Sequence, residues 1–253
     1  MILIKLGGSV ITKKDNPLTP NSEAIKRIVK QIKTLNKKMI IVHGGGSFGH
    51  YWSVKYDMHT KPEPYDPYGI AIVHESMIAL NQIITNIFIQ SRVNVYSFPP
   101  MVFMKDGKPQ NEKIYEISEM TKHGIIPITF GDVIHHKYNN YSILSGDSIM
   151  SLIAKKIKPK KNIFVVNVDG LYYNLQEKKI IKEIKNKDLS LVNFKDNKKT
   201  DVDVTGGMKR KVKEALSITS YGLEVIFVNG LKPLEVKRAI TGEDFIGTTF
   251  RGI

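Results

Sequence analysis

Lysines and closely spaced glycines, rather than paired carboxylates, are the residues of this chain whose spacing suits chemistry. The stretch Lys38–His50 reads KMIIVHGGGSFGH. Met39, Ile40, Ile41 and Val42 form a short apolar run suited to a buried strand. Gly44, Gly45, Gly46 and Gly49 then interrupt it. Without a Cβ, backbone N–H groups can turn towards a ligand, so such a turn can cradle phosphate oxygens. His50 follows with a side chain able to donate a hydrogen bond to the anion. Near the start, Lys5 ends a second apolar run, and Gly7, Gly8 and Ser9 follow it. A glycine pair directly after a strand brings backbone close to a phosphate, and a lysine adds a point charge. Two such turns facing each other would hold two anions side by side. Asp147, in Ser145-Gly146-Asp147, opens a helix. It suits either a helix cap or the orientation of lysines, and spacing alone does not choose between them.

These residues need strands to carry them and helices to return the chain. Met1–Leu6, Met39–His43, Val93–Phe98, Ile125–Phe130, Asn162–Val168, Glu224–Asn229 and Gly247–Phe250 read as strands. Between the first two, Ser22 is the expected cap of a helix running to about Asn36, with Ile25, Ile28, Val29, Ile32 and Leu35 at helical spacing. A helix between two buried strands is the βαβ signature of a parallel sheet. After His50 a short helical stretch and a proline-containing segment, His59–Tyr68, lead to a long helix from Gly69 to about Ser91. Ile70, Val73, Met77, Leu80 and Ile84 lie along one side of that helix, with Ile72 close by. They form core, or in part line an apolar pocket. Further helices are expected over Ile117–His123, from Ser145 through Ile157, over Lys209–Ser220 and over Pro233–Ile240. Hairpin turns are expected at Asp106-Gly107 and within His135–Tyr141, and a hairpin with surface segments over Glu177–Lys199.

Strand and helix alternate throughout, with neither a linker nor an internal repeat. The expected fold is therefore α/β: one doubly wound, three-layer domain with a mainly parallel central sheet over residues 1–253. Ligands in such folds sit at the carboxyl ends of the strands. The chain's 253 residues, 42% of them hydrophobic, suffice for one large domain. The longest apolar stretch, around Ile78–Ile89, is interrupted by Asn81, Gln82, Thr85 and Asn86, so no membrane span is expected. The N-terminal run lacks the charged leader of a signal peptide. There is no cysteine, which excludes disulfides and thiolate chemistry, and a cytoplasmic location is expected. The net charge of +14 sits largely in lysine runs that read as a solvated face. No nucleic-acid module accompanies them.

Taken in order, KLGGS at Lys5–Ser9, the glycine turn after the second strand, SGD at Ser145–Asp147, VDGLY at Val168–Tyr172 and TGGM at Thr205–Met208 resemble the amino acid kinase family. HGGGSFGH together with ITKK at Ile11–Lys14 resembles the branch of that family whose acceptor is isopentenyl phosphate. The resemblance implies phosphoryl transfer from ATP, with Mg2+, to isopentenyl phosphate, giving isopentenyl diphosphate, and it implies a homodimer. It places acceptor binding in residues 1 to about 145 and nucleotide binding in about 146 to 253. Lys5, Lys14, His50, Asp147 and Lys211 would be catalytic. Lys5, Gly7, Gly8, Ser9, Gly46, Asp169, Gly170, Tyr172, Gly207 and Lys211 would meet ATP. Gly45, His50 and Gly131 would meet the acceptor. Val73, Met77 and Ile134 are the candidate walls of a pocket for its apolar tail. Lys209, Arg210 and Lys211 are consecutive, so the spacing from Met208 favours Lys211 while Lys209 remains an alternative. No metal ligand is assigned.

Two other readings have specific residues behind them. A kinase of the same fold acting on another phosphate or phosphonate, such as fosfomycin, would use the same turns. Gly44, Gly46 and Gly49 also satisfy G-x-G-x-x-G after a strand, the pattern of a dinucleotide-binding nicotinamide enzyme, but the acidic residue expected at the end of a second strand is missing, since Glu63 and Asp66 lie among prolines. A basic nucleic-acid-binding protein is the non-enzymatic alternative and rests on charge alone.

Overall fold

A computed structural model describes residues 1–58, 64–172, 179–185 and 207–252. In chain order the elements are β1 (Ile2–Leu6), α1 (Gly8–Ile11), α2 (Ser22–Lys33), β2 (Met39–His43), α3 (Gly46–Lys55), α4 (Pro67–Gln90) and β3 (Val95–Ser97). Then come β4 (Met104–Lys105), β5 (Lys108–Pro109), α5 (Asn111–Glu119), β6 (Ile126–Phe130), β7 (Asp132–His135), β8 (Tyr141–Leu144) and α6 (Gly146–Ile157). The chain closes with β9 (Lys161–Val166), β10 (Glu183–Ile184), α7 (Gly207–Thr219), β11 (Val225–Asn229), α8 (Glu235–Thr241) and β12 (Gly247–Phe250).

Eight strands form one sheet in the order β10-β12-β11-β9-β1-β2-β6-β3. All its pairings are parallel except β11 with β12. The expected mainly parallel, three-layer α/β architecture is what forms. Side chains alternate faces along a strand. Ile2, Ile4 and Leu6 accordingly pack with α2, α4 and α8 on one side. Leu3 packs with residues of α5, α6 and α7 on the other. Because both faces are covered, the strands read as continuous apolar runs rather than alternating ones.

Several boundaries differ from expectation. Asn21, not Ser22, caps α2, its side chain accepting from Ala24 N (3.3 Å). The first helix after β2 begins at Gly46, before His50, and α4 begins at Pro67, with Asp66 capping it. α5 begins at Asn111, six residues earlier than the spacing of its apolar residues indicates. The hairpin turns at Asp106-Gly107 and between His135 and Tyr141 form, as β4–β5 and β7–β8. Most of the Glu177–Lys199 segment, together with Thr205, Gly206 and part of His59–Tyr68, lies outside the described residues.

By length and composition alone, α4 is long and apolar enough to cross a membrane. It packs instead against α2, α3, β3, β6 and β7. Its Val73, Met77, Leu80, Ile84 and Phe88 are buried there.

Candidate active site

The two glycine turns meet. Gly7 follows β1 and its N–H donates to Val165 O (2.9 Å), while Gly44 N donates to Leu6 O (3.0 Å). β1 and β2 thus release their chains side by side. An ideal Cβ placed on Gly8 would lie 2.5 Å from Gly46 Cα, and one on Gly44 would lie 3.2 Å from Gly8 N. Gly46 has φ +49°, and its own Cβ would come within 2.8 Å of Gly8 O. Only glycine permits backbone to meet backbone this closely. Ser9 is half-buried beside the contact.

Thr12 fastens the two turns. Its hydroxyl donates to Gly8 O (2.8 Å) and accepts from Ser47 N (2.9 Å). Helical hydrogen bonding in α3 then starts with Phe48 N and Gly49 N on Gly45 O. Gly45 and Gly46 therefore present the orphan amides of a helix start, which suit an anion. His50 lies in the next turn of the same helix, half-buried. Beneath the turn, His43 is fully buried and stacked on Phe130 at 5.2 Å. Its ring nitrogens contact Gly44 O (3.1 Å) and Asn81 Oδ1 (3.3 Å). Burial lowers its pKa to about 4, so the ring is neutral at pH 7.

Behind the glycines sits a buried charge cluster. Lys5 shares its face of β1 with Leu3, the face that α6 covers. There its ammonium forms a short ion pair with Asp147 Oδ1. Lys211 Nζ lies 3.8 Å from Asp147 Oδ2 and donates to Gly207 O (3.3 Å). Burial alone would lift the Asp147 carboxyl, but Lys5, Lys211 and Arg210 together hold its pKa below the usual carboxylate range. Ser145 is the cap of α6, accepting from Ser148 N (3.1 Å). Of the two roles open to Asp147, capping is thus taken by another residue, and the carboxylate holds lysines. Between the alternatives at 209 and 211, Lys211 faces the cluster and Lys209 is exposed.

α7 is held to α6 by Glu214. It accepts from Ser148 Oγ (3.1 Å) and, through a short bond, from Ser151 Oγ. Lys211 lies three residues before Glu214, about one helical turn, and so is delivered towards Asp147. Gly131 completes the ring of contacts: its N–H donates to His43 O (3.1 Å), and a Cβ there would meet Gly146 N at 2.8 Å.

Two predicted groups lie at the margins of this cluster. Lys14 is exposed on the loop between α1 and α2, a loop closed by the Thr12–Pro20 bridge and by Lys13 N donating to Thr19 O (2.9 Å). Asp169, Gly170 and Tyr172 follow β9. Asp169 accepts from Asn229 Nδ2 (2.8 Å) and pairs with Lys232 (2.7 Å). Burial raises its carboxyl pKa, but those two partners outweigh it and leave the pKa lowered. Gly170, at φ +142°, lies against Thr248, whose hydroxyl accepts from Leu171 N (2.8 Å).

The three candidate pocket residues are not brought together. Met77 Sδ faces the glycine turn, 3.0 Å and 3.1 Å from where Cβ atoms on Gly45 and Gly49 would be. Val73, a turn earlier on α4, packs with Met58 and Val133 in a small aromatic-rimmed cluster beside α3. Ile134 points the other way and belongs to the apolar layer under α5 and α6, since neighbouring residues of β7 alternate.

Thr12, Asn81 and Glu214 were not singled out from the sequence. Thr12 lies inside the quoted ITKK stretch, and that is the one signal that marked it.

The amino acid kinase family model matches residues 1–229, and the chain belongs to that family. Among curated relatives, it is 31% identical to the isopentenyl phosphate kinase of Thermoplasma acidophilum, over 99% of this chain and 100% of that one. It is 28% identical to the isopentenyl phosphate kinase of Methanothermobacter thermautotrophicus, over 100% and 99% of the two chains. A crystal structure of the T. acidophilum isopentenyl phosphate kinase product complex superposes with a TM-score of 0.80 at 28% identity, covering 99% of this chain and 100% of that one.

Proposed function

We propose that this chain transfers the γ-phosphoryl group of ATP to isopentenyl phosphate, giving isopentenyl diphosphate. The observation that carries this reading is the contact of Gly8 with Gly46 in front of the Lys5–Asp147–Lys211 cluster. It supplies main-chain donors for two anions and cations between them. Isopentenyl phosphate is the acceptor because the second turn is built as HGGGSFGH and because full-length relatives carry that activity in their names.

In this reading, Gly45 and Gly46 offer amides and His50 donates to the acceptor phosphate, while Gly131, its amide held by His43 O, meets the acceptor through the rest of its backbone. Gly8 and Ser9 offer donors to ATP, as do Gly207 and the Asp169–Tyr172 loop, while Gly7, its N–H held by Val165 O, lets the backbone come close. Lys5, Lys14 and Lys211 offset the charge on the moving phosphoryl group. Asp147 keeps Lys5 and Lys211 in place. Met77 walls the apolar tail on the α4 side. Acceptor binding belongs to residues 1 to about 145 and nucleotide binding to about 146 to 253. Magnesium travels with the phosphates of ATP: among the described residues no group of three His, Cys, Asp or Glu could hold it, and Asp147 is committed to lysines. A cytoplasmic homodimer is the proposed working form.

The test is an ATP-consumption assay with isopentenyl phosphate, dimethylallyl phosphate and fosfomycin offered separately, the products identified by mass. Isopentenyl diphosphate as the preferred product supports the assignment. Preferential phosphorylation of fosfomycin would replace it with the phosphonate reading.

A further inference from the structure

Helix α4 presents His74, Met77 and Asn81 along one face, spaced as neighbours on a helix. Each reaches a loop at the carboxyl end of a strand. Asn81 meets His43 at the end of β2 and donates to Ser97 Oγ beside it. Met77 lies on Gly45 and Gly49. His74 Nδ1 donates to Asp132 Oδ2 at 2.7 Å.

Asp132 is unusual for its position. Its side chain is fully buried, and its other oxygen accepts from its own neighbour, Val133 N (2.8 Å). It stands directly after Gly131, whose amide is spent on His43 O and whose Cα faces Gly146. A buried carboxylate is costly unless something charged or polar meets it. His74, itself half-exposed, is that partner across the gap between α4 and β7. The same gap holds Val73 against Val133. Asp132 in turn raises the pKa of the imidazole, so the pair gains charge character as His74 protonates.

We propose that His74 is a positioning residue for the acceptor: through Asp132 it anchors the Gly131–Asp132 backbone to α4 and fixes the spacing between Gly131 and the Gly45–His50 turn. This rests on the acceptor lying between those two segments, as argued above. The imidazole does not touch the reacting atoms. It holds the wall from which Gly131 faces the acceptor, while the nucleotide side, built on α6, α7 and β9, is left alone.

The test is steady-state kinetics of the full chain with isopentenyl phosphate and ATP varied independently. Losing a hydrogen bond to a charged group is worth about ten- to a hundredfold, and the lower end applies where the lost bond supports the wall of the site rather than the ligand. His74→Ala is therefore expected to raise KM for isopentenyl phosphate about tenfold and to leave KM for ATP within about twofold. His74→Asn, whose amide nitrogen can stand near the place of Nδ1, is expected to recover most of the loss. Should His74→Ala fail to fold, Asp132→Asn, which keeps the shape of the side chain, is read for the same split. Unchanged acceptor KM in a folded variant, an equal rise in both KM values, or no recovery in His74→Asn overturns the proposal. If the wild-type chain itself makes no isopentenyl diphosphate, the functional reading fails first and this inference falls with it.

Discussion

Gly8→Ala puts the meeting of the two turns to a direct test. The new methyl group would lie 2.5 Å from Gly46 Cα, where ordinary contacts begin at about 3.4 Å. The obstruction is main chain, which cannot swing aside as a flexible side chain would. Gly8 has no positive φ, so alanine suits its own backbone and the contact alone is perturbed. The two turns must part by about 1 Å, and a displacement of that size at a positioned site costs about a hundredfold in rate. Overpacking adds about 1–3 kcal/mol of instability. Both are read together, kcat with ATP and isopentenyl phosphate, and thermal unfolding. Gly124→Ala is the comparison. Its φ is +71°, so alanine there is strained, but nothing lies within 4 Å of the added methyl. It precedes β6, at the amino end of that strand, whereas the site lies at the carboxyl ends. It should lose stability by about 1–2 kcal/mol while keeping kcat. If Gly8→Ala turns over like wild type, or Gly124→Ala loses as much kcat, the turns do not meet at the reacting phosphates.

Three further outcomes follow from the same geometry. His50→Ala should raise acceptor KM by about ten- to a hundredfold, the value of a hydrogen bond to a charged group, with ATP KM unchanged. Varying the two substrates separately checks it, and a shift confined to ATP KM counts against the assignment. Asp147→Asn removes the charge that Lys5 and Lys211 share. It should cost two to three decades in kcat, about 3–4 kcal/mol, and wild-type kcat in a variant of native stability would falsify the lysine-holding role. His43 gives a pH signature. Its folded pKa of about 4 lies below the unfolded value of 6.5, so its contribution is full above pH 6.5 and declines as pH falls towards 4. The slope is about 1.4 kcal/mol per pH unit and the total about 3 kcal/mol. Urea titrations at pH 7, 6 and 5 on wild type and His43→Gln should differ in slope over that window. His74 has the opposite sign: its raised pKa adds stability that disappears only as pH rises through the folded value, so it does not imitate the acid loss.

Local signals carried much of the fold. Strands buried on both faces are apolar at most positions, so β1, β2, β9 and β11 stand out as runs, and Lys5 and His43 stand out within them. The turns were legible because only glycine fits them. α3 was misplaced because its first turn contains Gly46 and Gly49, poor helix formers, and because it has no apolar stripe. Its start is set by Thr12 from another segment, which no local pattern records. α5 began too late in the reading because Glu112 and Lys113 hide the spacing of Ile114 and Ile117. The partners within the site were the least legible. Lys5 and Asp147 are 142 residues apart, and His74 and Asp132 are 58 apart, so their pairing depends on sheet order rather than on neighbouring residues. Ile134 was grouped with Val73 and Met77 as a pocket wall, but one residue along a strand reverses the face, and it joins the opposite layer instead.

The electrostatics of the cluster bear on what kind of acceptor can be used. An alcohol must lose its proton during attack, and a nearby base has to take it. Asp147 is badly suited to that task. Its oxygens are engaged by Lys5 and Lys211, and those cations hold its pKa down, which makes the carboxylate a weak base. A phosphate monoester arrives with its nucleophilic oxygen already ionised near neutral pH. What it needs is relief from the repulsion of the ATP phosphates, and a carboxylate that keeps two ammonium groups in position provides this better than one free to accept protons. The depressed basicity of Asp147 therefore fits an anionic acceptor and disfavours a hydroxyl one. Rate measurements between pH 6 and 8 test this: with a phosphate acceptor the rate should follow that phosphate's second ionisation, and a rate indifferent to it would count against an anionic nucleophile.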